Sequence, residues 1–162
     1  MIQVEHAHLP VVAHSDPGTS GKNNEDRFSV SAYRLSRKNA TPSLLAVLAD
    51  GIGGHRAGEV AAEMAVDIIR QRVADSDARD PVGTLENAVI DASRKIYAQA
   101  QEEPAYLGMG ATCACAWIVG SRLYAATVGD SRIYLLRDGA IHQLSTDHTW
   151  VQEAVEQGIL KP

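Results

Sequence analysis

No apolar run in the sequence is long enough to cross a bilayer. The longest, such as Leu44–Ala49 and Ala114–Val119, fall well short of the ~20 residues that a membrane helix needs. The opening stretch, MIQVEHAHLPVVAHSD, lacks a basic start followed by an apolar segment, so no signal peptide is read and a cytoplasmic location is expected. Basic residues are not in excess either. The net charge is −5, and the tightest basic cluster, Arg34, Arg37 and Lys38, is short and interrupted. Non-specific nucleic-acid binding depends on neutralising phosphates with Lys and Arg, so nucleic acid is not an expected partner, and neither is a membrane.

Cysteine is scarce: there are only Cys113 and Cys115. Two thiols make neither a zinc site nor a disulfide framework. Two apart on a strand, they point the same way, and the plain reading is a pair of small buried hydrophobes, with a redox pair as the alternative. Internal repeats, low-complexity tracts and linkers are also missing. The 162 residues are therefore read as one domain with room for a sizeable core.

What is present is the balance of a globular protein, with 45% hydrophobic and 22% charged residues. Strands are expected at Val11–Ser15 and Phe28–Tyr33, on either side of a Gly- and Asn-rich loop. Leu44–Asp50 is a continuous apolar run that stops at a glycine, as a fully buried strand should. Thr112–Val119, Leu123–Val128, Ser131–Arg137 and Ala140–Leu144 follow as a meander, with Gly120-Ser121 and Asp138-Gly139 as hairpin turns. Two helices are expected between the strand groups. Val60, Ala61, Met64, Ala65, Ile68, Ile69 and Val73 recur at helical spacing, and so do Val82, Leu85, Val89, Ala92, Ile96 and Ala100. The Met64 stripe is read as core, and Ala74–Pro81 as the loop between the helices. A third helix is expected from Thr149, where Thr149-x-x-Gln152 matches a capping box and Gly158 marks a stop. Hairpin strands with an inserted helix pair predict an α+β fold, with helices covering antiparallel sheets.

Four groups of residues carry possible chemistry. In Asp50-Gly51-Ile52-Gly53-Gly54-His55, followed by Gly58, a carboxylate sits at a strand end and glycines let the backbone turn close to whatever it binds. Hard cations such as Mg²⁺ and Mn²⁺ take oxygen ligands of this kind, and one carboxylate can bridge two ions. Asp-Gly alone commonly marks only a turn. Asp16-Pro17-Gly18 and Asn24-Glu25-Asp26 form an acidic loop that by itself looks like Asx turns. Gly129-Asp130-Ser131-Arg132 delivers another acid at a strand end, where Arg132 pairing with Asp130 is the bland alternative. Asp147-His148 precedes the third helix and is read as an acidic cap.

Taken in chain order, from Asp16-Pro17-Gly18 and Asn24-Glu25-Asp26 through Asp50-Gly51, Gly110-Ala111-Thr112 and Gly129-Asp130 to Asp147-His148, the motifs resemble those of the metal-dependent serine/threonine protein phosphatases of type 2C, in particular their bacterial branch. The resemblance runs from about Val11 to the C-terminus. It implies an antiparallel β-sandwich flanked by helix pairs, and hydrolysis of phosphoserine and phosphothreonine in proteins by a metal-activated water. It implies Mn²⁺ or Mg²⁺ as cofactor, two ions with a weaker third. Asp50 would be catalytic and bridge the ions, the Gly51 carbonyl would bind one of them, and Asp130 would serve the third. Glu25 and Asp26 would hold waters that the ions bind. Phosphorylated proteins, a serine/threonine kinase among them, are the implied partners.

The chain departs from the family pattern in places. Where the family carries a phosphate-gripping arginine, this chain has Gly21, with Lys22 next. A lysine is a point charge and cannot supply the bidentate fork. Some relatives place a histidine directly after the bridging Asp-Gly. Here Ile52 stands there, and His55 is the nearby candidate for an acid role. The family's later Ser-Asp-Gly and Asp-Asn motifs do not occur, so 1–162 is expected to be the N-terminal part of a phosphatase domain lacking the C-terminal strands and helix. On that basis both sheets and the carboxylate set are incomplete, and this chain alone holds only part of the site. The alternative is a phosphatase-like binding or scaffold module with impaired catalysis.

Overall fold

The computed structural model describes residues 1–19, 23–53 and 57–149, together with Gln152, Ala154 and Gly158. In chain order the elements are β1 (Ile2–Val4), β2 (Asp26–Arg34), β3 (Pro42–Ile52), α1 (Ala57–Asp75), α2 (Pro81–Glu102), β4 (Gly110–Ala111), β5 (Cys113–Val119), β6 (Arg122–Val128), β7 (Tyr134–Arg137) and β8 (Ala140–Gln143). Six strands form one sheet in the order β1-β2-β3-β5-β6, with the short β4 beside the end of β3. Every pairing in it is antiparallel. The hairpin β7-β8 makes a separate two-stranded sheet. The fold is α+β, with antiparallel strands and a helix pair inserted between β3 and β4.

Side chains alternate across the sheet, and the two faces have different fates. Tyr33, Leu45, Val47, Ala49, Cys115 and Trp117 point to one face and are buried under α1 and α2. Phe28, Val30, Leu48 and Leu123 point to the other and stay substantially exposed, Leu48 at 42%. Leu44–Asp50 is therefore buried all along one face, while on the other Leu44 is buried and Leu48 exposed, a difference that a run of apolar residues does not show in sequence. In the buried layer the Trp117 indole N–H donates to Ser43 Oγ at 2.7 Å, which satisfies two polar groups that water cannot reach.

Small residues decide how closely α1 approaches the sheet. Ala57, Gly58, Ala61, Ala62 and Ala65 line its buried side. The buried stripe continues through Val66, Ile69 and Val73, whereas Val60, Met64 and Ile68 are only partly buried at its margin. Helix α2 starts where the Asp80 carboxylate accepts from Gly83 N at 3.0 Å and Pro81 takes a first-turn position. Its buried face is Leu85, Ala88, Ala92, Ile96 and Ala100, while Val82 stands 63% exposed. Asp138 and Gly139, both at positive φ, close the β7-β8 hairpin, and Gly120 at φ 59° turns β5 into β6.

Other expectations need correction. Val11–Ser15 forms no strand, and Val12 is 96% exposed there. The first strand is instead Ile2–Val4, which pairs with Ala32–Arg34 at the far end of β2. Three residues are too few to show a period, and only their partner strand makes them a strand. The strand expected at Ser131–Arg137 begins at Tyr134, because residues 129–133 are taken up by side-chain and turn bonds described below. The third helix lies mostly outside the described residues, although Thr149 Oγ1 accepts from Gln152 N at 3.2 Å as a cap should. Among the described residues no helix is long and apolar enough to cross a membrane.

Candidate metal centre

Asp50 stands near the end of β3, directly opposite Asp26 at the start of β2. Both side chains project from the sheet face that the helices leave open, the face of Phe28 and Leu48. This follows from register: Asp26 pairs with Asp50 and Phe28 with Leu48, two residues along each strand. The two carboxyls are in hydrogen-bonding contact. The Asp50 carboxyl is held above the usual carboxylate range, first by lost hydration, then by the charges of Asp26 and Asp130, the contact with Asp26 and the charge of Glu25. Three acids from two other stretches thus act on Asp50. Such a group calls for a proton or a cation between its members.

The glycines around Asp50 are there for close approach. A Cβ at Gly51 would land on the Gly58 carbonyl and come within 2.9 Å of the Glu25 carbonyl oxygen. A Cβ at Gly58 would land on the Glu25 carboxylate. The end of β3 therefore meets the start of α1 and the acidic loop backbone to backbone, and the Glu25 side chain packs directly on Gly58. Glu25 lies against the first turn of α1, where the helix dipole favours an anion. Arg27 closes the same corner from the helix side. Its guanidinium donates to the carbonyls of Asn24 at 3.2 Å and Asp26 at 2.8 Å, and it pairs with Glu59 in the first turn of α1.

Thr112 is the contact that sequence reading passed over. It lies between β4 and β5, is buried, and bonds the backbone of Asp50 twice. Its N–H donates to Asp50 O at 2.8 Å, and its Oγ1 accepts from Asp50 N at 3.0 Å. The same Oγ1 lies 2.7 Å from Ser131 Oγ, which ties the turn carrying Asp130 to the strand carrying Asp50. Gly129, at φ 86°, must lack a side chain because a Cβ would come within 2.8 Å of Thr112 Cγ2. In the sequence Thr112 stood out only as the last residue of the Gly110-Ala111-Thr112 motif, with no role attached to it.

The arginine of the third motif does not pair with Asp130. Arg132 makes a fork onto Asp147, with Nε 2.9 Å from Oδ1 and 3.0 Å from Oδ2. Asp147 in turn is held below the ordinary carboxylate range, first by that hydrogen bond. Among the described residues it serves as the arginine's partner. His148 N donates to Gly129 O at 2.9 Å, so the third and fourth motifs are bound to each other. Sequence spacing suggested the neighbour two positions away as partner, but the turn at Gly129 aims the guanidinium past Asp130.

Asp50, Asp26, Glu25 and Asp130 are thus gathered within electrostatic reach, with Gly51 buried beside them. Lys22 and His55, the candidates for phosphate and acid roles, lie outside the described residues, as does Gly21. An all-oxygen, acidic donor set suits hard divalent cations. Among the described residues no three acid, histidine or cysteine side chains stand at the mutual spacing of a closed metal site.

Comparison with known proteins places this arrangement. The family model described as protein phosphatase 2C matches residues 14–154. The serine/threonine protein phosphatase PstP of Mycobacterium tuberculosis is 39% identical over 154 residues, which are 95% of this chain and 28% of PstP. Protein phosphatase PhpP of Streptococcus pneumoniae is 36% identical over 91% of this chain and 58% of its own length. The crystal structure of the PstP catalytic domain in complex with two manganese ions superposes with a TM-score of 0.74, at 40% identity over 92% of this chain and 60% of that one. The chain therefore spans well under two thirds of these relatives. Both the fold and the order of its acidic motifs agree with the match: this chain belongs to the protein phosphatase 2C family.

Proposed function

We propose that this chain carries the N-terminal part of a metal-dependent phosphatase site that hydrolyses phosphoserine and phosphothreonine esters in proteins. The observation that carries the reading is Asp50, in contact with Asp26 and under the charges of Asp130 and Glu25. The names of PstP and PhpP, and the two manganese ions in the PstP structure, support it. Asp50 and the Gly51 carbonyl would hold the ions, and Asp130 a weaker one, with Glu25 and Asp26 acting through water. Mn²⁺ or Mg²⁺ bound there supplies Lewis-acid polarisation and a water acidified toward neutral pH. The chain's own residues do the rest. Asp50 fixes position from a strand whose backbone is clamped by Thr112, and Arg27 holds the acidic loop against α1. Phosphorylated proteins, a serine/threonine kinase among them, are the proposed substrates. Two free, buried cysteines suit a reducing, cytoplasmic setting.

The test is hydrolysis of a phosphothreonine peptide with Mn²⁺ by a C-terminally extended chain, with and without Asp50→Asn; residues 1–162 alone should show little turnover. Turnover that needs Mn²⁺ and is lost in Asp50→Asn is the expected result. Turnover indifferent to Asp50→Asn would sink the reading. Saturable phosphopeptide binding without turnover would favour the binding-module alternative.

A further inference from the structure

Behind Asp50, on the side of the sheet that the helices cover, lies a cavity of about 240 Å³. Its floor is Ala65 and Ile69 of α1, Ala92 and Ile96 of α2, and Met109 and Cys113 at the approach to β5. All six are buried. The void has a plain origin in the sequence: Ala65, Ala92, Gly110 and Ala111 meet here, and none has a side chain to fill the space between two helices and a sheet. A Cβ added at Gly110 would find no atom within 4 Å. Ser93, which is exposed, and Tyr97, at 68% exposure, form the mouth.

We propose that this cavity binds a neutral aromatic ligand of one or two fused rings, and that its occupancy is felt at Asp50 through Thr112. The chemistry of the lining selects the class. No charged side chain lines the cavity, so an ion inside would be desolvated without a partner. Apolar cavities of roughly 150 Å³ stay dry and accept benzene, so the larger volume here has room for a second fused ring. The sulfurs of Met109 and Cys113 make favourable contacts with aromatic rings, which separates a ring from an aliphatic chain of equal size. The hydroxyls of Ser93 and Tyr97 at the mouth would meet one polar substituent. Thr112 forms part of the wall, and its own hydrogen bonds run to Asp50 N and Asp50 O. A ring packed against Thr112 holds the residue that holds the Asp50 backbone.

Indole is the probe. Titrated into the 162-residue chain, it should bind saturably at roughly millimolar concentration, as a fragment of its size does. It should show nuclear Overhauser contacts to the methyl groups of Met109 and Thr112, and slow exchange of the Thr112 amide hydrogen. Ala92→Leu, which fills the cavity, should weaken binding at least tenfold while leaving the melting temperature unchanged or higher. Overhauser contacts elsewhere on the protein, no binding up to the solubility limit, or unaltered affinity in a folded Ala92→Leu would each overturn the site. Should that variant fail to fold, the contacts in the unaltered chain decide alone. Binding with unchanged Thr112 exchange would overturn the coupling to Asp50. These readouts are independent of phosphate-ester hydrolysis, so failure of one reading is distinguishable from failure of the other.

Discussion

Asp26 and Asp50 face each other across the β2–β3 ladder, in register and on the face of the sheet that the helices leave open. Antiparallel pairing alone brings them together, from two motifs that lie well apart in sequence. Two carboxyls in contact repel unless a proton or a cation lies between them, so the same relationship sets both the metal-free chain's stability and its affinity for a divalent ion.

The Asp50 carboxyl titrates above its ordinary value of 3.8. A raised acid binds its proton in the folded chain before it does in the unfolded one. The metal-free protein should therefore be least stable with Asp50 ionised, gain stability as pH falls through the raised value, and stop gaining below 3.8. Asp50→Asn should remove this rise and melt above the unaltered chain at neutral pH without metal. Mn²⁺ should raise the melting temperature of the unaltered chain and leave that of Asp50→Asn unmoved. Scanning both proteins with and without Mn²⁺ checks the set.

Gly51→Ala drives a methyl into the Gly58 carbonyl, which belongs to backbone and cannot swing away. A loss of about 1–3 kcal/mol or more is expected. Gly110→Ala places the same methyl in open space and should stay within about 0.5 kcal/mol of the parent. Urea unfolding of the two variants measures the contrast, and equal losses would show that close approach is not what Gly51 is for.

Thr112→Val keeps the shape of the side chain and removes the oxygen that accepts from Asp50 N and meets Ser131. The partly buried Asp50 N–H then loses this acceptor, at a cost of about 1 kcal/mol. Thr112→Ser should recover most of that. Amide exchange at Asp50 should speed up in the valine variant and return in the serine variant, a pattern that a simple packing loss would not produce.

Arg132 and Asp147 are paired at the surface, and Asp147 titrates below its ordinary 3.8. A lowered acid stabilises the fold above the unfolded value, and the contribution fades as pH falls through the lowered one. The pair's contribution should thus be intact at neutral pH and vanish only at strongly acidic pH. Arg132→Ala should return the Asp147 midpoint, followed by carboxyl carbon chemical shifts, toward 3.8. A midpoint that does not move would remove Arg132 as the cause.

Much of this arrangement follows from sequence because its signals are local. The apolar run ending at Asp50-Gly51, the helical periods of α1 and α2, and the Asp138-Gly139 turn each express a conformational preference within a few residues. What eluded sequence reading is what depends on a partner far along the chain. Ile2–Val4 became a strand because β2 offers it an edge, and Val11–Ser15 forms none. Leu48 is exposed because the helices cover the opposite face of β3 at that point. Arg132 found Asp147 across the turn at Gly129, and Thr112 found the backbone of Asp50 across the β3–β5 interface. The sequence by itself determined the helices and the central strands, the family's ordered acids and the glycines among them. Only the tertiary structure decided which acids face one another, why Gly51 and Gly58 cannot carry side chains, and where small residues leave a void, because these depend on distances between segments that no local pattern encodes.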